Sequence, residues 1–152
     1  MPPEPLLVTT HIHTDGPIPG PHSLLTLTSA AQPRAGGPIS TFGMNVRELP
    51  GATLHPGALR RWQRRPEDWL ASRRASRPPA VAANAYLRWV ERLPGEPVFV
   101  TDTTRPDYLF LYWYCMRFAG RWPFATVIVD ADLRCQLSEP FCSLKGCRTV
   151  AA

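Results

Sequence analysis

Proline is the feature of this sequence that most restricts its fold, since 18 of the 152 residues are proline, against a usual share of roughly 5%. Proline fixes φ and lacks a backbone N–H, so it belongs in turns, at strand edges and in first helical turns. The prolines follow no Gly-X-Y period, which excludes a collagen-like chain. Hydrophobic residues make up 44% of the sequence, enough to bury a core. We therefore expect one folded domain of ordinary size, not a wholly disordered chain.

Three strand-like segments come first along the chain. Residues 6–12, 23–30 and 40–49 are rich in branched residues or alternate between apolar and polar ones, as strands do. The turn-forming run DGPIPGP at 15–21 separates the first two segments, and the loop at 32–38 separates the next two. Three strands with short connections predict an antiparallel meander.

The second half of the chain mixes helical and strand patterns. Three of the predicted helices begin with a proline, at the position where its missing N–H costs least. The predicted elements are helices at 56–65, 66–74, 79–93 and 107–118, and strands at 97–101 and 125–129. This order predicts an α/β domain with a mixed sheet, because a helix between the last two strands permits a parallel crossover. The pattern fades after Asp130, so we expect the domain to span 1–134 and an irregular tail to follow at 135–152.

The net charge of +5 is carried almost entirely by arginine, since Lys145 is the only lysine. Such a bias often reflects the base composition of the coding DNA, so placement is more informative than the total. Seven arginines lie within eighteen residues: Arg60, Arg61, Arg64, Arg65, Arg73, Arg74 and Arg77. Two interpretations stay open, a solvated helical face or a patch that contacts the phosphates of single-stranded RNA or DNA.

The sequence also bears on compartment and membrane association. No apolar run approaches the roughly 20 residues of a membrane span, and the first residues lack the pattern of a signal peptide. We expect a cytoplasmic protein without membrane contact. Its cysteines do not have the C-x2-C spacing of structural zinc sites, and reduced thiols are expected in the cytoplasm. They are Cys115, Cys135, Cys142 and Cys147.

Three segments carry a resemblance to a known family. They are TDGPIPGPHS at 14–23, LPGEPVFV at 93–100, and DYLFLYWY at 107–114 with the Arg-Phe pair at 117–118. Together with the element order they resemble the DEDD-type 3'-5' exonucleases of the ribonuclease H-like fold. The nearest group is similar to the ribonuclease T-like bacterial exonucleases. The resemblance covers roughly residues 6–134.

The resemblance implies a two-metal phosphodiesterase site and also shows where this chain departs from it. The family holds two divalent ions with four carboxylates, two of them in a D-x-E motif on the first strand. This sequence has His11-Ile12-His13 at that motif, while Asp107 matches the third carboxylate. The late helix that supplies the fourth carboxylate and a histidine base has no counterpart in the pattern. The resemblance therefore implies a degenerate domain, truncated at its C-terminal end.

Several residues keep two interpretations. If the first strand is correct, His11 and His13 lie on one face and converge with Asp107 as a two-histidine, one-carboxylate site for Zn, Mn or Fe. Alternatively, both histidines are substitutions tolerated because no metal is bound. Asp107 is a relic ligand, a helix N-cap, or both. The following aromatic residues are expected in the core, with a base-stacking platform as the alternative: Trp62, Trp69, Trp89, Tyr112, Trp113 and Tyr114.

Three functions follow from these observations. We favour an inactive exonuclease-like domain that needs no cofactor and weakly binds nucleic acid or a protein partner covering the missing C-terminal region. The second is an active 3'-5' exonuclease on RNA or DNA, in which a rebuilt His11, His13 and Asp107 site uses Mg, Mn or Zn. The third is a vestigial product of a truncated gene.

Overall fold

The computed structural model describes residues 2–142 and shows a mixed sheet flanked by helices. The strands are β1 (Pro5–Thr14), β2 (Leu24–Gln32), β3 (Ser40–Asn45), β4 (Glu96–Thr101) and β5 (Thr126–Val129). The helices are α1 (Pro56–Gln63), α2 (Pro66–Arg73), α3 (Pro79–Glu91), α4 (Asp107–Ala119) and α5 (Ala131–Cys142). Within the described residues, no helix is both long and apolar enough to cross a membrane.

The strand order is β3-β2-β1-β4-β5. β1 pairs with β2, and β2 with β3, in antiparallel register, which confirms the predicted meander. β1 pairs with β4, and β4 with β5, in parallel register. The parallel half requires crossovers, and α4 supplies the one between β4 and β5. The predicted α/β class with a mixed sheet is therefore confirmed.

Both faces of the sheet are covered because alternate residues of β1 and β4 point to opposite sides. Val8 and Phe99 lie in the larger core, which α3 and α4 complete with buried aromatic side chains such as Tyr86 and Tyr114. The opposite face has a smaller cluster, where Leu137 of α5 packs with three sheet residues. These three are Leu7, Val98 and Val100. The predicted helices and strands of residues 6–129 all form, with boundaries shifted by a few residues.

The last helix corrects the predicted tail. Residues 131–142 form α5, so an irregular tail beginning at residue 135 is wrong for residues 135–142. The helix starts where Asp130 Oδ1 accepts a hydrogen bond from the N–H of Leu133 at 3.0 Å, a side-chain cap. Its apolar pattern is weak, but Leu137 still finds a buried place against the sheet. The remainder of the predicted tail, residues 143–152, lies outside the described residues.

Candidate functional site

The carboxyl ends of β1 and β4 meet at one edge of the sheet, with Thr9 opposite Val100. Polar residues gather at this edge: Thr101 ends β4, Asp102 follows it, and Asp107 begins α4. Open α/β sheets hold their ligands beyond the carboxyl ends of parallel strands. This edge, with its two aspartates, is therefore the candidate site, and we call it the carboxylate edge.

The Asp107 carboxylate is buried, and both of its oxygens have donors. Oδ1 accepts from the hydroxyl of Thr101 at 2.7 Å and from the N–H of Tyr108 at 2.9 Å. Oδ2 lies 3.4 Å from Nε of Arg134. The N-cap position of α4 belongs to Pro106, so the helix N-cap interpretation of Asp107 is wrong. Asp107 is the first helical residue, and its carboxylate turns toward β4.

Arg134 of α5 closes the site from the other face of the sheet. Its side chain is only 4% exposed, and its Nη2 donates to the carbonyl oxygen of Thr10 at 2.9 Å. Its Nε lies 3.4 Å from Asp107 Oδ2 and 3.8 Å from Asp102 Oδ2. Burying a guanidinium is costly unless carboxylates and hydrogen bonds compensate it. The two aspartates and the Thr10 carbonyl provide that compensation.

The two aspartates have pKa values shifted in opposite directions. Burial raises the pKa of Asp107 above its ordinary value, although the Thr101 hydrogen bond and the Arg134 charge act against that rise. Burial also acts to raise the pKa of Asp102, but hydrogen bonds from Thr104 and nearby arginine charges hold it below its ordinary value. Asp102 is therefore the more acidic partner of Arg134.

The residues at this edge do not fit the pair of divalent ions that the family resemblance implies. Two-metal chemistry requires several carboxylates that present free oxygens to the ions. Here the Arg134 cation faces both carboxylates. Among residues 2–142, no three His, Cys, Asp or Glu side chains lie close enough together to hold a metal ion. This donor set does not support a metal-dependent step.

His11 and His13 lie in the second half of β1. They share the side of β1 that carries Leu7, which packs toward α5. The structure does not bring them together with Asp107 as a three-ligand cluster, so the predicted convergence is not observed. The His13 ring lies 5.7 Å from the ring of Trp62.

The arginine cluster divides into exposed and anchored members. Arg73 points inward, where its Nη1 and Nη2 donate to the carbonyls of Val46 and Leu25 at 3.0 and 2.8 Å, and it pairs with Glu48 at 3.0 Å. Its place in a phosphate-contacting patch stays a prediction, although several of its donors are already bound within the fold. The exposed members are Arg60, Arg61, Arg64, Arg65, Arg74 and Arg77.

A cleft of about 680 Å³ lies beside the carboxylate edge, between α1 and the loop that precedes α4. Its wall includes Thr14 at the end of β1, Gly57 of α1 and Thr104 of the loop. Arg61 and Arg105 line it from opposite elements. These two arginines make the cleft positively charged. It lies next to the aspartates that face Arg134.

The other loop residues near this edge have structural contacts. The backbone N–H of Ser23 donates to the buried Asp15 carboxylate, and burial raises the pKa of Asp15. His55 Nδ1 accepts from the N–H of Gly57 as the N-cap of α1. His22 Nδ1 lies 2.9 Å from the carbonyl oxygen of Thr53. These contacts position the turns around the cleft.

The aromatic residues are not all in the core. Tyr114 is buried and accepts a hydrogen bond from the N–H of Leu24 at 2.8 Å, and Trp89 donates to Ser40 Oγ at 2.9 Å. Trp113 packs against the core, while Tyr112 is 40% exposed on α4. Trp62 and Trp69 instead pack on each other, with ring centroids 5.3 Å apart, beside a groove between α1 and α2.

Two residues of the site were not predicted, Asp102 and Arg134. Asp102 directly follows a buried strand, five residues before Asp107, which is a usable signal for a site residue at a sheet edge. Arg134 has a weaker signal: the Asp130 cap marks a helix start, but nothing in the sequence shows that its fourth residue reaches across to Thr10.

Comparisons with known proteins bear on the fold. No protein-family model matches the chain, and no curated protein matches it in sequence. Among solved structures it is similar to Pop2p of S. pombe, in a form with Mg²⁺ and Mn²⁺ bound, with a TM-score of 0.56 and 12% identity. The match covers 90% of this chain and 60% of the Pop2p chain, so this chain spans less than two thirds of its neighbour.

The likeness to Pop2p confirms the predicted ribonuclease H-like fold. At 12% identity it is a statement about the fold, and it leaves the activity of this chain to be argued from its own residues.

Proposed function

We propose that this chain is an exonuclease-like domain that does not cleave phosphodiester bonds and that binds single-stranded nucleic acid weakly. The proposal retains the resemblance to the ribonuclease T-like group and treats the site as degenerate. The alternative is an active exonuclease with a rebuilt His11, His13 and Asp107 site, and an activity assay distinguishes the two.

One observation supports the proposed loss of catalysis. The Arg134 guanidinium faces the Asp107 and Asp102 carboxylates in a buried site. A fixed cation there neutralises the carboxylates that would otherwise attract divalent ions. It also repels such ions. The chain has histidines at 11 and 13, and neutral imidazole suits transition metals better than Mg²⁺. Each of these features opposes two-metal phosphoryl chemistry.

Binding of nucleic acid is supported by the placement of charge. The cleft at the carboxylate edge is lined by Arg61 and Arg105, and Arg60, Arg64 and Arg65 are exposed nearby on α1 and the following turn. Arginines attract phosphates irrespective of base sequence. Such binding is expected to weaken steeply as salt concentration rises, because phosphate contacts release condensed counterions.

The two cysteines whose side chains are described, Cys115 and Cys135, are both free thiols. Burial raises the pKa of Cys115 to about 12, so this thiol is unreactive at neutral pH. Free thiols fit the reducing cytoplasm that we propose as the protein's compartment. The predictions for Cys142 and Cys147 lie outside the described side chains.

The activity is tested with labelled single-stranded RNA and DNA that have free 3' ends, incubated with Mg²⁺ or Mn²⁺. We expect no release of mononucleotides above a chelator-treated control. Release that an Asp107→Asn variant abolishes would show that the site is active and would overturn the proposal. Nucleic-acid binding is measured separately on the same strands over a range of salt concentrations, and an absence of binding at low salt would remove that part of the proposal.

A further inference from the structure

The surface between α1 and α2 contains an apolar groove of about 320 Å³, within the range of sites that hold small organic groups, about 300–1,000 Å³. It lies beside α1, and its lining is distinct from that of the cleft at the carboxylate edge. Its lining residues are Leu54, Leu59, Trp62, Gln63, Pro66 and Trp69. Leu54 and Leu59 are 38% and 40% exposed, so the groove presents apolar surface to solvent.

The two indole rings of the groove are held in place before any ligand binds. Trp62 Nε1 donates to the carbonyl oxygen of Thr14 at 3.4 Å, and the rings of Trp62 and Trp69 meet nearly edge to face. The Arg73 guanidinium lies 5.4 Å from the centroid of the Trp69 ring. Since Arg73 is anchored to the carbonyls of Leu25 in β2 and of Val46 just after β3, it restrains Trp69 in turn. A restrained aromatic surface loses little side-chain entropy on binding.

The charge around the groove selects the kind of occupant. Arg60 and Arg64 lie one turn apart beside the groove residues of α1 and are exposed. Arg65 precedes α2 and pairs with Asp68 at 3.5 Å. Between positions 54 and 77 the acidic residues are Glu67 and Asp68 alone, so positive charge predominates around the apolar groove.

We propose that this groove receives an unstacked base of single-stranded nucleic acid, with Arg60 and Arg64 on the flanking phosphates. The inference rests on the proposed nucleic-acid binding and adds the place where a base of the strand binds. Bases of a single strand can leave their neighbours and stack on aromatic side chains, which contributes strongly to affinity for any base. Bases inside a duplex are stacked and paired, so they do not enter the groove. The arginines favour a polyanion over an apolar segment of protein.

The test compares affinities for three labelled probes by fluorescence anisotropy at one low salt concentration. The probes are an oligothymidylate of about ten nucleotides, an abasic strand of the same length and charge, and a duplex of that length. We expect the oligothymidylate to bind about tenfold more tightly than the abasic strand and the duplex. Equal affinities for the oligothymidylate and the abasic strand would overturn the proposal while leaving phosphate binding by the arginines intact.

Variants assign the effect to the groove. Trp69→Leu should reduce the affinity for oligothymidylate about tenfold, to that of the abasic strand, and leave abasic binding unchanged. Leu59→Ala truncates an exposed groove residue without touching the Arg73 anchor and should weaken base-dependent binding about threefold, which keeps the test valid if Trp69→Leu unfolds. Leu70→Ala is the matched control, since Leu70 is 60% exposed on α2 but does not line the groove.

Other results separate this inference from the proposed function. If no probe binds, the proposed nucleic-acid binding fails and the inference fails with it. If every probe binds equally and the groove variants have no effect, the inference alone fails. If an acidic peptide with leucine residues binds and Trp69→Leu abolishes that binding while strand affinity stays constant, the groove belongs to a protein partner and the proposal is overturned.

Discussion

At the scale of single residues, the site is defined by Arg134 and the groups around it. Its guanidinium reaches the Thr10 carbonyl at 2.9 Å, with Asp107 at 3.4 Å and Asp102 at 3.8 Å. Thr10 lies in the second half of β1, Asp102 directly follows β4, and Asp107 begins α4. Because the arginine comes from α5, a single side chain links this helix to the candidate site.

Removing the Arg134 charge should leave Asp107 buried without a cation. We expect Arg134→Met to lower the free energy of unfolding by about 3–5 kcal/mol at neutral pH. The pKa of Asp107, already raised by burial, should rise further in this variant. A raised folded-state pKa means that protonation favours the folded state, so the deficit relative to the wild type should narrow as pH falls from about 7 toward about 4.

Urea unfolding of the wild type and Arg134→Met at several pH values measures this effect. The exposed Arg74 supplies a matched control, since Arg74→Met removes the same charge from the surface and should change stability by less than about 0.5 kcal/mol. A deficit that does not vary with pH would show that Asp107 is not the group left unpaired.

The site residues that could be predicted lie in a recognisable local motif, and those that were missed depend on tertiary contacts. Asp107 was found because its surrounding motif resembles that of the exonucleases. Arg134 was not found, since the contact between residues 10 and 134 depends on the packing of α5 across the sheet. Arg73 was placed among the phosphate-contacting arginines because nothing local in the sequence shows that Val46 and Leu25 present free carbonyls to it.

At the scale of elements, the strands and most helices follow from local pattern. Prolines 56, 66 and 79 start α1, α2 and α3, where a missing N–H is tolerated. The short apolar run of β4 fits a strand buried by helices on both sides, whereas β5 is an edge strand whose first and last residues are exposed. The exception is α5, whose apolar periodicity is weak and whose place depends on one buried leucine and one buried arginine.

Leu137 tests whether α5 is docked on the sheet. It is buried against Leu7, Val98 and Val100. We expect Leu137→Ala to destabilise the protein by about 2–5 kcal/mol, because it removes buried methyl groups and leaves a cavity. Gln136→Ala changes the exposed neighbour and should have an effect below about 0.5 kcal/mol. Equal melting temperatures for the two variants would contradict a docked α5.

The turn before β4 depends on a close approach that only glycine permits. A Cβ added at Gly95 would lie 2.5 Å from the backbone oxygen of Glu4 and 3.0 Å from Leu6 Cγ. Glu96 N–H donates to that same oxygen at 3.1 Å, at the start of the parallel pairing of β1 with β4. Gly95→Ala should therefore destabilise the protein by about 1–3 kcal/mol.

The control for Gly95 is Gly37, in the loop between β2 and β3. A Cβ added there meets no atom within 4 Å. Gly37→Ala should leave the thermal unfolding midpoint nearly unchanged, whereas Gly95→Ala should lower it. If Gly95→Ala is as stable as Gly37→Ala, the close approach of Glu4 does not limit the pairing of β1 with β4.

At the scale of the whole molecule, the fold and the site's chemistry diverge. The sheet order and the TM-score of 0.56 to Pop2p define a ribonuclease H-like domain. The candidate site, however, has an arginine facing the carboxylates. The α/β class with a mixed sheet could be predicted from element order, because a meander followed by parallel crossovers admits few arrangements, and the ribonuclease H-like fold from the resemblance of local motifs. The local chemistry could not, because it depends on contacts between residues far apart in the sequence, such as the Arg134 hydrogen bond to the Thr10 carbonyl.

Binding of Mn²⁺ to the purified wild-type protein, followed by electron paramagnetic resonance, tests the central claim most directly. Arg134 faces the carboxylates that would bind the ion, so we predict no saturable binding of Mn²⁺ up to millimolar concentration, and the same result for Asp107→Asn. One or two equivalents of Mn²⁺ bound by the wild type and lost in Asp107→Asn would contradict the claim, since the carboxylates would then be free to hold metal.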